Sequence, residues 1–140
     1  MYRHLYTIIM LMFITVASHA QIIGQWKAVG DKDGDEKAII EIYEQNGKLF
    51  GKVTKLLPGA RITRCENCPG DLKDKPIEGM VVLKNLRKTA LGGVDGKITD
   101  PSNGKTYNCA IELQDRDTIK VRGYIGMPAV GRTQYWKRVR

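Results

Sequence analysis

Ala38-Ile39-Ile40-Glu41-Ile42-Tyr43-Glu44-Gln45-Asn46-Gly47-Lys48-Leu49-Phe50-Gly51-Lys52-Val53-Thr54-Lys55-Leu56 is the stretch that decides the fold class. Residues 38–45 hold Ile39, Ile40, Ile42 and Tyr43, and residues 48–56 follow directly after Asn46-Gly47. A type I′ turn needs positive φ at both central residues, and Asn followed by Gly accepts that at least steric cost. Two strand-like runs joined in this way predict a tight hairpin.

The same grammar extends in both directions. Upstream, residues 24–29 form a short apolar-rich run. Downstream, residues 80–84 and 96–99 are strand-like, and Asp100-Pro101-Ser102-Asn103-Gly104 makes a turn before residues 105–113. There Tyr107, Cys109, Ile111 and Leu113 share one face at period two, against Thr106, Asn108 and Glu112 on the other. Residues 114–117 turn the chain into 118–125, where Ile119, Val121 and Ile125 alternate with Lys120, Arg122 and Tyr124. A last connection leads into residues 132–139. Leu83, Leu86 and Leu91 have a spacing that one short helix would suit, ending at Gly92-Gly93. Seven or eight short strands with tight turns predict an all-β chain, and sequential hairpins favour an antiparallel up-and-down meander. A closed β-barrel of about eight strands is expected first and a sandwich second, since closure removes exposed sheet edges.

The chain of 140 residues carries a formal charge of +8, with 42% hydrophobic and 27% charged residues, which suits one globular domain. Residues 1–20 are read as a cleaved signal peptide: Arg3 and His4 precede an apolar run over 5–17, and Ser18-His19-Ala20 supplies small residues at the cleavage positions. That run is shorter than the roughly 20 apolar residues a membrane-spanning helix needs. Gln21, not Cys, follows, so no lipid anchor is expected. The domain is then residues 21–140, exported to a periplasm or secreted, with no transmembrane segment. Both histidines, His4 and His19, leave with the leader, and Ser102 becomes the only serine. A Ser-His-Asp triad, a Cys-His pair and a His-ligated zinc are thereby excluded. The expectation is a protein that is not an enzyme.

Cys65-Glu66-Asn67-Cys68 is a Cys-x-x-Cys motif. A redox pair of this kind usually sits at a helix N-terminus that favours the thiolate. Here it falls in a loop rich in Pro, Gly and charge over residues 58–76, and an exported chain predicts a static disulfide that staples the loop. Cys109 lies on an apolar strand face and reads as a buried thiol. A three-Cys zinc site would need Cys109 at that loop, so no metal and no cofactor are expected. Asp31-Lys32-Asp33-Gly34-Asp35 resembles the start of a calcium loop, but the twelfth position is Ile42, which cannot ligate.

Basic residues concentrate at the C-terminal end. Residues 118–140 contain Lys120, Arg122, Arg132, Lys137, Arg138 and Arg140 and no acid. Arg132 with Gln134, or Arg122 with Tyr124, places two polar groups on one strand face, where Arg offers a two-pronged donor to a carboxylate or phosphate. Ile119, Val121 and Ile125 claim the inner face of their strand and turn Arg122 and Tyr124 outward. Arg132 and Gln134 share a face with Trp136 and have the better claim to the interior. Arg132, Gln134, Arg122, Tyr124 and Tyr107 are the candidate ligand-binding residues. Nucleic acid is not an expected partner, because an exported chain without a binding motif does not become one through a pI near 9.5.

Gly24-Gln25-Trp26, at the first strand, resembles the Gly-x-Trp opening of the lipocalin superfamily. A longer pattern accompanies it: Gly47-Lys48-Leu49-Phe50-Gly51-Lys52, Cys65-Glu66-Asn67-Cys68-Pro69-Gly70, Asp100-Pro101-Ser102-Asn103-Gly104-Lys105-Thr106-Tyr107, Val121-Arg122-Gly123-Tyr124 and Gly131-Arg132-Thr133-Gln134. In order and spacing this resembles the bacterial family of secreted proteins called domain of unknown function 2147. The resemblance implies an exported lipocalin-like barrel with no established activity. It also implies that Arg138 packs over Trp26 to close one barrel end. Leu91 stands near the position before Gly92-Gly93 where such a chain is expected to carry tryptophan, so no aromatic role carries over there.

These readings converge on an exported, non-catalytic binding protein that takes a small apolar or amphipathic anionic ligand. The alternatives are an envelope protein laying its basic strip on anionic lipid or polysaccharide, and a thiol redox protein using Cys65 and Cys68.

Overall fold

The computed structural model describes residues 21–30 and 32–140. The signal-peptide expectation for residues 1–20 lies outside that range, as does Asp31. Eight strands follow one another: β1 Gly24–Val29, β2 Glu36–Gln45, β3 Lys48–Leu56, β4 Val81–Lys88, β5 Gly92–Thr99, β6 Thr106–Asp115, β7 Thr118–Tyr124 and β8 Gly131–Arg138. Each pairs antiparallel with the next, and β8 returns to β1, so the sheet closes as an up-and-down barrel and not as a sandwich. The only helical element among the described residues is a 3-10 turn at Gly70–Leu72.

The Asn46-Gly47 turn has φ of 53° and 77°, the two positive values its strand register demands. Inward positions follow from alternation. Trp26, Ile40, Val53, Leu83, Cys109, Ile111, Ile119, Val121 and Trp136 are buried in one continuous core. The partners set opposite each other confirm the face, as in Trp26↔Ile40, Ile40↔Val53, Ile111↔Val121 and Ile119↔Trp136.

Leu83 and Leu86 correct the short-helix spacing. Both lie on β4 and both are fully buried, although three positions apart should put them on opposite faces. Asn85 sits between them at φ 58°, in the left-handed region, and the pairing shifts so that Leu83 faces Gly51 and Leu86 faces Leu49. One extra residue in the strand restores both leucines to the interior. Asp95, also at φ 58°, accompanies the register shift between Gly93 and Gly96 on β5. The leucines occupy the space the glycines leave: a Cβ on Gly51 would stand 2.8 Å from Leu83 Cδ1, and one on Gly96 would stand 2.6 Å from Leu86 Cδ2.

The two barrel ends differ. The turns at residues 46–47, 89–91 and 116–117 are tight and mark the lower end. The upper end carries the longer connections, at 57–80, 100–105 and 125–130 and between β1 and β2.

Candidate functional site

The lower end is shut. Arg138 Cζ stands 4.3 Å from the Trp26 ring centroid. Its Nε donates to Arg116 O at 2.8 Å and its Nη2 to Gln21 O at 2.7 Å, so one guanidinium ties β8, the β6–β7 turn and the lead-in to β1. Trp26 Nε1 donates to Ile22 O at 2.9 Å. Gly24 faces the same group, 3.1 Å from Arg138 Nη1 if it carried a Cβ. Above this plug, Leu49, Leu83, Leu86 and Cys109 are buried and fill the middle of the barrel.

Part of the upper end is also covered. Cys65 and Cys68 lie at disulfide distance, Cα–Cα 5.3 Å, and both are buried. The strand-like bridge Arg64↔Pro76 holds the base of this loop together. Asn67 Nδ2 donates to Ser102 O at 3.3 Å, and Gly104, at φ +72°, lets the two loops meet. A Cβ on Gly104 would fall 1.8 Å from Asn67 O. The pair is thus packed behind a neighbouring loop, and the helical element that follows it is the three-residue 3-10 turn Gly70–Leu72, too short for the dipole that stabilises a thiolate.

What stays open is the upper wall of β5, β6 and β8. Ile98 pairs with Tyr107, Gly123 with Arg132 and Val121 with Gln134, so Ile98, Tyr107, Arg132 and Gln134 all lie on the inward face. Ile98, Tyr107 and Gln134 are only partly buried and Arg132 is exposed, in contrast to the closed core beneath them. Tyr107 Oη accepts a hydrogen bond from Asn103 Nδ2 at 3.0 Å, and Gln134 Oε1 accepts one from Trp136 Nε1 at 3.0 Å. The Trp136 bond takes the Gln134 oxygen and turns its amide nitrogen into the group it can offer. At Gly123, a Cβ would meet Ile98 Cγ2 at 3.6 Å and Tyr107 Cβ at 3.9 Å, so the wall has room for a methyl group at this level.

Arg122 and Tyr124 do not join them. Arg122 pairs with Thr133 and Tyr124 with Gly131, on the outer face by alternation. Arg122 spends its guanidinium on the β7–β8 loop, with Nη2 and Nε donating to Pro128 O at 2.9 Å and 3.2 Å and Nη1 to Thr133 Oγ1 at 3.0 Å. The register thus turns this pair outward, as the alternation with Ile119 and Val121 predicts. Ile125 is corrected: β7 ends at Tyr124, and Ile125 has left the wall and is exposed.

The basic C-terminal region is not one strip. Arg132 and Arg138 face inward near opposite ends, Lys120 and Arg122 face outward, Lys137 Nζ donates to Thr118 Oγ1 at 2.9 Å, and Arg140 is paired with Asp117. Sequence periodicity missed a second concavity on the outside. An open groove of about 690 Å³ runs between residues 71–81 and the outer faces of β2–β4. Tyr43 and Phe50 form its floor, stacked with centroids 5.8 Å apart. Cross-strand pairing of two outward aromatics is the signal that locates it.

Cys109 is a buried thiol whose burial pushes its pKa up to about 12. Asp33, in the calcium-like turn, is held below the usual carboxylate range chiefly by Lys37, whose Nζ is 2.8 Å from its Oδ2. Among the described residues no three His, Cys, Asp or Glu side chains converge as metal ligands, and no helix is long and apolar enough to cross a membrane.

Among solved structures, the fold is similar to that of protein HP1028 from Helicobacter pylori, a lipocalin-family protein, with a TM-score of 0.75 and 20% identity. That match covers 86% of this chain and 84% of the other. Among curated proteins none matches. The eight-stranded lipocalin-like barrel accords with the family pattern, and over residues 24–138 the sequence matches the family model described as "Uncharacterized protein conserved in bacteria (DUF2147)", to which this chain belongs.

Proposed function

We propose that the protein is an exported, non-catalytic binding protein that holds a small amphipathic anionic molecule at the upper mouth of its barrel. The observation that carries this is the partly open inward wall of Ile98, Tyr107, Gln134 and Arg132 above a filled interior. Arg132 and the Gln134 amide supply donors for a carboxylate or phosphate, and Ile98 and the Tyr107 ring supply apolar contact. Because Leu83, Leu86 and Trp26 fill the barrel below, the ligand enters shallowly and its apolar part is short. The outer groove supports a second placement for the same kind of ligand, with its apolar part on Tyr43 and Phe50 and its anion beside Lys75 or Lys84.

Native mass spectrometry on gently purified protein, before and after solvent extraction, tests both. One adduct per chain is expected, and Arg132→Ala lowers its occupancy at least tenfold, since a charge-assisted bond is worth about 1.5–3 kcal/mol. Loss of the adduct in Phe50→Ala but not in Arg132→Ala would move the site to the groove. A barrel that carries no adduct and is not stabilised against heat by any fatty carboxylate or phosphate would overturn the proposal.

A further inference from the structure

The loop joining β7 to β8 carries apolar surface that the barrel does not use. Ile125, Met127 and Val130 are 66%, 68% and 60% exposed. The whole span Ile125-Gly126-Met127-Pro128-Ala129-Val130 contains no charged or polar side chain. Half of the large exposed hydrophobics among the described residues fall in these six positions; the others, Ile23, Leu91 and Tyr135, lie elsewhere. Scattered apolar residues on a surface are ordinary, but a cluster marks a contact with protein or membrane.

The loop is also held in shape. Ile125 N donates to Val130 O at 3.0 Å and Val130 N to Met127 O at 2.9 Å, while Arg122 clamps Pro128 O from the adjoining strand. The apolar tip is therefore presented already ordered, which lowers the entropy lost on docking. The two strands that carry it supply only basic groups. Arg122 and Arg132 flank the tip on its two strands, and no acid occurs anywhere in residues 118–140. On the neighbouring upper turns, the Asp33 carboxylate is bound by Lys37, and Asp100 Oδ1 accepts from Ser102 N and Oγ.

We propose that this loop is a membrane-docking lip whose partner is an anionic bilayer surface. Ile125, Met127 and Val130 enter the boundary between headgroups and acyl chains, and the guanidinium groups of Arg122 and Arg132 lie at the level of the lipid phosphates. Negative lipid is the occupant that complements an apolar tip with cationic flanks, since each basic residue near such a surface adds to its attraction. The lip borders the upper mouth, so docking turns the mouth toward the bilayer. That last consequence rests on the ligand reading above, whereas the docking itself does not.

The test uses purified protein with its N-terminus fixed by intact mass, and vesicles of phosphatidylglycerol mixed with phosphatidylcholine against phosphatidylcholine alone. The protein is expected to co-sediment with the anionic vesicles and to release as salt rises. The double variant Ile125→Asp, Met127→Asp is expected to lose at least about tenfold in partitioning while keeping its melting temperature, because two apolar side chains no longer leave water. Met127→Trp provides a direct probe against the buried Trp26 and Trp136, with an emission blue shift expected on anionic vesicles only. Equal sedimentation of the double variant and the parent would overturn the proposal, as would an unshifted probe. A dimer that the double variant dissolves, with neither form on vesicles, would overturn it in favour of a second copy of this chain. Ligand capacity measured in solution separates the two proposals, since the double variant is expected to retain it even when it no longer docks.

Discussion

At the scale of single residues, Arg138 and Cys109 make opposite uses of the interior. Arg138 stacks on Trp26 and donates to two carbonyls, and it lies 4.0 Å from an Asp117 oxygen that is buried without a hydrogen bond. Truncating it removes a desolvated stack and strands these acceptors. Arg138→Ala is expected to lower stability by about 2 kcal/mol in urea unfolding. Arg140→Ala, which breaks an exposed pair with the same aspartate, should change it by less than about 0.5 kcal/mol. Equal effects would mean that the guanidinium contributes charge rather than closure. Cys109 has its proton held by burial. Its folded pKa of about 12 lies above the unfolded value of 9.0, so its contribution is intact below pH 9 and is lost as pH rises toward 12. Stability should fall as pH rises across that window, and Cys109→Ala should flatten the slope. An alkaline limb unchanged in that variant would assign the loss to other groups.

At the scale of elements, β4 and β5 are shaped as a pair. Bulges at Asn85 and Asp95 turn Leu83 and Leu86 inward, and Gly51, Gly93 and Gly96 leave them room. Gly96→Ala puts a methyl group against Leu86 and 2.8 Å from Lys84 O, a backbone atom that cannot swing aside. The expected loss is about 1–3 kcal/mol, the range for overpacking a filled core, and the melting temperature reads it. Leu86→Ala in the same background should recover part of that loss, because the clash and the cavity offset each other. This element was only half legible in the sequence. Residues 80–84 and 96–99 were recognisable as strand, but the bulges interrupt period two, so their continuations to Lys88 and from Gly92 read as leucine spacing and a Gly-Gly break.

At the scale of the whole molecule, closure depends on a short seam. β1 and β8 share two register pairs, Trp26↔Arg138 and Lys27↔Lys137, with Val139 N donating to Gln25 O just beyond, whereas β2 and β3 pair from Ala38↔Leu56 to Gln45↔Lys48. Amides on the β1–β8 seam should exchange with solvent before those of β2, β3, β6 and β7, which are expected to open only with global unfolding. Uniform protection around the barrel would show that the Trp26–Arg138 plug makes the seam as strong as the rest. The same closed architecture separates the molecule's two faces. It leaves the partly exposed mouth and the apolar β7–β8 loop together at the upper end, opposite the plug.

The sequence by itself determined the strand-and-turn grammar, the hairpin at Asn46-Gly47 and the alternation that puts Cys109, Ile111, Ile119 and Val121 inside, because these depend on local backbone chemistry and period-two burial. It also left the described residues without a histidine, which bounds the chemistry open to any site. Only the tertiary structure decided which inward positions remain open. Gln134 and Val121 face the same interior, yet one is partly open and the other shut, since depth in a barrel is set by how tilted neighbours and end loops stack. Nor could periodicity show that Arg122 would be used to fix a loop, or that Tyr43 and Phe50 would floor an outer groove. Those outcomes depend on partners distant in sequence, brought together when the eight strands close.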